Sequence, residues 1–359
     1  MRFDFFAVQC YNKRSKTAER NAMKLRNLAA ASLALLTLTG CSAEKPQSLE
    51  IYAMNTLMSM SAYGENAGEA LAAVSARMNE LEQELSVTIT ESDINRVNTA
   101  AGKPVDVCDD ARRIIEEALE ISAQTDGALD ITIYPVVSAW GFTTGEHRVP
   151  CAGELSQLLE LTGWEEVQLS GSTVTLPEGF EIDLGALAKG YAGDCAAEIL
   201  SGYGVSSAVL NLGGNVCAIG SKPGGKPWKV AVTDPGDISA YLGTLTASDE
   251  FIVTSGKYER CFTAEDGSTY HHIIDPATGY PSENGVASVT VVGTQGILCD
   301  ALSTSLLVMG EEKAYAFWQE HGGFEMIIAT DDDRLLITEG LSERFTPQNG
   351  HVITIICAD

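Results

Sequence analysis

An α+β fold is what this sequence predicts, and three observations point to it. Strand-like and helix-like segments interleave irregularly, where a doubly wound parallel sheet would alternate them. Several strand pairs are separated only by tight turns. No internal repeat or long low-complexity linker interrupts residues 50–359, so they read as one compact unit with mixed or antiparallel sheets and packed helices. With 45% hydrophobic residues in a chain of 359, that unit has ample material for a core.

In chain order, residues 1–40 read as a leader. Met23 to Asn27 form a short positive segment, and Leu28 to Leu38 an apolar stretch broken only by Ser32 and Thr37. That is the layout of a secretory signal, too short to span a bilayer comfortably as a mature helix. Residues 1–22 fit no signal architecture, which makes Met23 the expected start. Leu38-Thr39-Gly40-Cys41 resembles a bacterial lipobox, whose cysteine receives lipid before cleavage. The expectation is a lipidated tether over 41–49 and a protein held at the cell membrane, facing the extracytoplasmic side.

The formal charge is −26, and without residues 1–40 it becomes −31, from 16 Lys/Arg against 47 Asp/Glu. Such a chain has no basic surface for nucleic acid and is repelled by anionic headgroups. A phosphate-bearing ligand would need a metal, a lysine or backbone N–H groups. Beyond Cys41, seven cysteines follow (Cys108, Cys151, Cys195, Cys217, Cys261, Cys299 and Cys357) with no CxxC pair and no His at zinc spacing. They read as small buried residues.

Residues 66–84 carry Ala70, Leu71, Val74, Met78, Leu81 and Leu85 near helical spacing, and 109–124 form a second amphipathic helix with Asp109 and Asp110 at its start. A hairpin is expected over 167–176 around Ser170-Gly171-Ser172. A strand ending in Asp183 is expected to run through a glycine-bearing turn into a helix reaching Leu200. Residues 208–212, 228–233, 251–254, 286–292 and 326–330 read as strands, and 300–309 and 311–321 as helices.

Five segments replace the core pattern with glycine, aspartate and small polar residues. Thr125 to Thr132 would let a planar ligand approach the backbone, with Asp130 as acceptor, although taken alone the residues are better explained as a structural turn. Ile182 to Asp194 offer a helix N-terminus as a pyrophosphate cradle, with Lys189 adding positive charge. Asn211-Leu212-Gly213-Gly214-Asn215 places a glycine pair straight after a strand. Thr254 to Arg260 lead to His271 and His272 beside the turn former Asp275-Pro276-Ala277-Thr278-Gly279. A His poised near neutral pH would serve as a general base, and the alternative is a hydrogen-bonded structural His. Asp300 and Thr304, four apart on a helix, put two hard oxygens on one face, as Mg²⁺ or Ca²⁺ prefers.

Taken in order, Met54-Asn55-Thr56, Ser86-Val87-Thr88 with Ser92 to Asn98, Asp126 to Asp130, Asp183 to Asp194, Asn211 to Asn215, Thr254 to Tyr258, His272 to Pro281 and Asp300 to Thr304 resemble the ApbE flavin transferases, exported bacterial lipoproteins. The likeness covers roughly residues 50–345. It implies a single T-fold-like domain that transfers FMN from FAD to a Ser or Thr hydroxyl of a target protein, releasing AMP, with FAD as substrate and Mg²⁺ as cofactor. By the same likeness the metal falls to the Ala186 carbonyl, Asp300, Ser303 and Thr304. FAD contacts fall to Met54, Thr88, Ala128, Leu129, Asp130, Asp183, Lys189, Ser255 and Ile274. His272 takes the role of base, with Asp183 as the second choice. Family targets are extracytoplasmic flavoprotein subunits of membrane redox complexes, of the Rnf or sodium-pumping NADH:quinone oxidoreductase type. Two positions depart from the pattern: Asn55 stands where Gly is frequent, and Thr88 where a tyrosine commonly stacks on the ligand.

Two alternatives share these features. One is a Mg-dependent FAD pyrophosphatase. The other is a flavin-binding lipoprotein without turnover, which would not need the Asp300/Thr304 pair. A thiol-dependent redox lipoprotein is opposed by the missing CxxC.

Overall fold

The computed structural model describes residues 45–348 and 350–358. The leader, Cys41 and the first residues of the tether lie outside them. The described residues group as one unit.

A nine-stranded sheet forms its centre. Its strands are β1 (Gln47–Ala53), β2 (Thr56–Ala62), β3 (Ser207–Asn211), β4 (Asn215–Gly220), β5 (Glu250–Gly256), β6 (Val286–Gly293), β7 (Glu325–Thr330), β8 (Leu335–Thr338) and β9 (Ile353–Ile356). They lie side by side in chain order. Every pair is antiparallel except β8 with β9, which is parallel. The helices are α1 (Ala67–Leu85), α2 (Asp93–Asn98), α3 (Asp109–Gln124), α4 (Tyr134–Ala139), α5 (Ala152–Leu159), α6 (Ala188–Gly202), α7 (Gly296–Met309) and α8 (Glu311–His321).

The sheet has two covered faces, which is why its central strands are apolar nearly throughout. On one face, α1, α6 and α7 pack in a layer whose core includes Val74, Met78, Ala192, Leu210, Val253, Val289 and Leu306. On the other, strands Trp228–Asp234, Asp237–Ala247 and Phe345–Pro347 form a second sheet. Trp228, Val230, Leu245 and Phe345 there meet Ile252, Val292, Ile327 and Ile337 of the central sheet. A small third core gathers Val136, Trp140, Leu155 and Ile274. It is covered by aromatic residues of the hairpin Cys261–Thr263/Thr269–His271. This is a mixed α+β architecture, as the pattern indicated. No helix among the described residues is long and apolar enough to cross a membrane.

Several segments differ from expectation. The stretch ending in Asp183 is no strand. Its backbone bonds go to a side chain instead: Ile182 N–H donates to Asn98 Oδ1 at 2.8 Å, and Asn98 Nδ2 returns a bond to the Ile182 carbonyl at 2.9 Å. α7 begins at Gly296, a turn before Asp300, because the Asp194 carboxylate of α6 accepts the Gly296 and Ile297 N–H groups at 2.7 and 2.9 Å. Asp194 thus caps a helix about a hundred residues downstream. The cysteines are not uniformly buried: Cys217 and Cys299 are, while Cys151, Cys261 and Cys357 are exposed, and all seven described are free thiols.

The Asn55 departure has a local explanation. Ala53 pairs with Thr56, leaving Met54 and Asn55 as a two-residue turn with φ of 50° and 58°. Both central residues of such a hairpin turn take positive φ, and Asn tolerates that region nearly as Gly does. Asn55 Oδ1 also accepts the Tyr52 hydroxyl at 2.8 Å.

Candidate active site

The site assembles where α6 and α7 cross beneath the ends of the central strands. α6 can reach this position because glycine lines the crossing. A Cβ on Gly190 would stand 2.2 Å from the Gly296 carbonyl and 2.7 Å from Asp300 Cβ, and one on Gly296 would stand 2.4 Å from the Gly190 carbonyl. The close approach puts Gly190 N–H, in the first turn of α6, 2.8 Å from Asp300 Oδ2. Asp300 is 3% exposed, on a helix buried on nearly every side. Burial pushes its carboxyl up; Lys189, the Asn215 amide and Gly190 N–H oppose that by favouring the ionised form. Lys189 Nζ lies 3.8 Å from Asp300 Oδ1.

Three hydroxyls adjoin Asp300, and their hydrogens can be ordered. Ser303 Oγ donates to the Asp300 carbonyl at 2.8 Å, so its single hydrogen is used. Ser255 Oγ, 2.7 Å away at the end of β5, therefore donates to Ser303. Thr304 Oγ1, 3.1 Å from Ser255 Oγ, donates to Ser255 in turn. Thr304 keeps its lone pairs, whereas Ser303 has already given one to Ser255.

Asp183 starts the turn before α6. Its N–H donates to the Ile131 carbonyl at 2.9 Å, and its Oδ1 accepts Gly185 N–H at 2.6 Å. Burial pushes the Asp183 carboxyl up, against the opposing effects of Gly185 N–H, Arg260 and Lys189. Ala186 is half-buried in the same turn.

Across the site, the β3–β4 turn is held by Asn211 Oδ1, which accepts Gly213 and Gly214 N–H at 3.1 and 3.2 Å. Gly213 presses on the β1–β2 turn: a Cβ there would stand 2.1 Å from Thr56 Oγ1. That contact places Met54 beside the β3–β4 turn. Asn215 Nδ2 is buried and lies near enough to Asp300 to favour its ionised form, yet it falls short of hydrogen-bond geometry with any described residue.

The two histidines have separate roles. His271 is structural: Ile273 N–H donates to its Nδ1 at 3.3 Å, so Nε2 carries the proton and donates to the Ser282 carbonyl at 3.0 Å. His272 is fixed by its backbone, whose N–H donates to the Arg260 carbonyl at 3.0 Å. Its Nδ1 is buried without a hydrogen-bond partner among the described residues. Burial first, then the charges of Arg260, His271 and Lys189, hold the imidazole down at about 3. The ring is therefore neutral across the physiological range and not poised near neutrality. Desolvation moved it, and spacing in the sequence carries no sign of that.

Glu259 and Arg260 joined the site without having been singled out for a role. Glu259 Oε1 sits 3.4 Å from where a Gly214 Cβ would be. Its carboxyl is pushed up to about 7, mainly by desolvation in the cleft, although the residue as a whole remains exposed. A Glu-Arg pair between a strand end and a His pair is the signal that would have flagged them.

The remaining candidates lie on loops outside α6 and α7. Thr88 is exposed and bonds only to Ser86, at 3.0 Å between hydroxyls. Asp130 Oδ1 is occupied by Thr132, accepting its N–H at 2.8 Å and its hydroxyl at 2.6 Å. Leu129 and Ile274 bury their side chains in separate cores, so a ligand would meet their backbones. Ala128 is half-buried and follows Asp126 and Gly127, both at positive φ. The segment that carries Ala128, Leu129 and Asp130 reaches Asp183 through the Ile131 carbonyl.

Comparison with known proteins follows this geometry. The model of the ApbE family matches residues 54–328. The FAD:protein FMN transferase of Klebsiella pneumoniae (strain 342) is 35% identical over 278 residues, 76% of this chain and 86% of the relative. That of Vibrio cholerae serotype O1 is 32% identical over 323 residues, 86% and 95% of the two chains. Among solved structures, the ApbE protein of Thermotoga maritima aligns with a TM-score of 0.79 at 30% identity, covering 84% of this chain and 99% of that one. The apo form of the Pseudomonas stutzeri flavinyl transferase ApbE aligns with a TM-score of 0.76 at 28% identity, covering 84% and 98%.

Proposed function

This chain belongs to the ApbE family, and from that premise we infer that it is an FAD:protein FMN transferase that moves FMN from FAD onto a Ser or Thr hydroxyl of an acceptor protein. The observation that carries the reading is a buried, partly compensated carboxylate, Asp300, on the same helix as the lone-pair-bearing Thr304 hydroxyl, with Lys189 beside it and the Lys189 charge felt at His272 as well.

The donor set around Asp300 suits a divalent cation of the Mg²⁺ kind: one buried carboxylate, the Thr304 and Ser303 hydroxyls, and the Ala186 carbonyl, all hard oxygens. When bound, Mg²⁺ would draw charge from the pyrophosphate oxygens. The chain's own residues do the rest. Lys189 seats the pyrophosphate with its ammonium, since the Ala188 and Gly190 N–H groups of the first turn of α6 are already given to the Leu184 carbonyl and to Asp300 and form no open cradle. His272 accepts the proton of the incoming hydroxyl through its other ring nitrogen, Nε2, since the ring is neutral and Nδ1 is sealed inside the fold. The hydroxyl oxygen bonds to the FMN phosphorus, the bond from that phosphorus to the bridging oxygen breaks, and AMP leaves with the electron pair. Asp183 is the second choice of base, since burial raises its carboxyl toward the useful range.

The setting we propose is the extracytoplasmic face of the cell membrane, with lipid on Cys41. The acceptor would be a flavoprotein subunit of a membrane redox complex of the Rnf or sodium-pumping NADH:quinone oxidoreductase type. The leader layout and the strongly acidic composition support this: the charge gives the protein no electrostatic hold on a membrane, so a covalent anchor supplies it.

The test is incubation with FAD, Mg²⁺ and such an acceptor domain, followed by intact-mass measurement of the acceptor. A gain equal to one FMN, removed by chelation, is expected. Release of free FMN and AMP with the acceptor unlabelled would make the chain a pyrophosphatase instead.

A further inference from the structure

Arg260 is a cation whose ordinary partners surround it and do not engage it. The chain is heavily acidic. Its other arginines commonly form ion pairs: Arg77 with Asp110, Arg334 with Glu311, Arg344 with Glu250. The Arg260 guanidinium makes no ion pair or hydrogen bond with any described residue. Its charge nevertheless acts on Asp183, Glu259 and His272, which places it among the groups of the site. Its backbone is pinned there, because the Arg260 carbonyl accepts His272 N–H at 3.0 Å and the next residue, Cys261, pairs with His271 in the hairpin.

Charge balance says what such a cation is for. Asp300 and Asp183 together with a pyrophosphate bring more negative charge than one divalent cation and Lys189 neutralise. Lys189 is already drawn to Asp300. A dinucleotide in this cleft leaves an uncompensated anion unless another fixed cation turns toward it, and an uncompensated charge in a desolvated cleft is costly. A guanidinium is suited to that place, since its planar fork matches two phosphate oxygens at once.

We propose that Arg260 is a phosphate-binding residue of the active site, which with Lys189 grips the pyrophosphate of FAD beside His272. This deepens the transferase reading and rests on it. The role is shared by any ligand with the same diphosphate, so ADP should use it and riboflavin should not.

The experiment is titration of the full-length chain, at fixed Mg²⁺, with FAD, ADP and riboflavin, comparing wild type with Arg260→Gln and Arg260→Lys. Arg260→Gln should weaken FAD and ADP by about tenfold or more and leave riboflavin unchanged. Arg260→Lys should recover part of the loss, keeping the charge without the fork. Wild-type affinity for ADP in Arg260→Gln would overturn the proposal, and so would an equal loss of riboflavin, which marks a structural role. Failure of the wild type to take FAD or ADP would overturn the transferase reading itself.

Discussion

Asp300 shows what burial does to one carboxylate. It lies 3% exposed with a single N–H on Oδ2 and an ammonium at 3.8 Å from Oδ1, which compensates a buried charge only in part. Asp300→Asn removes that charge at almost constant volume. In chelator the variant should therefore melt no lower than wild type. Added Mg²⁺ should raise the wild-type melting temperature and leave the variant's unmoved, since a cation at 100 times its Kd contributes about 2.7 kcal/mol. Thermal melts with and without Mg²⁺ check this, and an equal Mg²⁺ response in Asp300→Asn would remove Asp300 from the metal site. Thr88 is the converse case, exposed and bonded only to Ser86. Thr88→Tyr has room for its ring and should tighten FAD by roughly 0.5–1.5 kcal/mol if this loop faces a flavin or adenine ring. Flavin fluorescence quenching reads the change; unaltered affinity would place the ring elsewhere.

At the scale of elements, the site depends on how closely α6 meets α7. Glycine inside α6 reads from sequence as a turn signal, yet Gly190 is helical and its missing side chain is what lets the Gly296 carbonyl pass. Gly190→Ala should force the helices apart, costing about 1–3 kcal/mol and lengthening the Gly190–Asp300 bond that aligns the carboxylate. Gly202→Ala is the control on the same helix. Nothing lies within 4 Å of its would-be Cβ, and its φ is ordinary. That change should be neutral, or stabilise by about 0.4–1 kcal/mol through the unfolded chain. Urea unfolding of the two variants checks the pair, and equal stabilities would mean the crossing tolerates a methyl group.

For the molecule as a whole, His272 ties stability to pH. Its folded-state pKa, about 3, lies below the ordinary histidine value of 6.5, and burial lowers His271 as well. As pH falls below 6.5 the unfolded chain takes up protons that the folded chain refuses, so stability drops through the window from 6.5 down to about 3. The buried carboxyls of Asp183 and Asp300 are raised and act in the opposite sense, so the histidine effect is read as a difference. Between pH 7 and pH 5, wild type should lose about 2 kcal/mol relative to His272→Gln. Urea unfolding at both values measures it, and a constant gap would mean that His272 titrates normally. What the sequence determined by itself was whatever depends on residues near one another in the chain. Examples are the alternation and spacing behind α1, α3, α8 and strands β3, β5, β6 and β7, the turn at Gly171, and the ordered glycine and aspartate segments that supply most of the site. Tertiary structure decided what depends on distant partners. α7 starts at Gly296 because Asp194 caps it, Ile182 and Asp183 bond to Asn98 and Ile131 instead of joining a sheet, and Arg260 arrives beside His272 through a hairpin. The proton affinity of His272 belongs with these, since desolvation is set by everything packed around a group and by no neighbour in sequence.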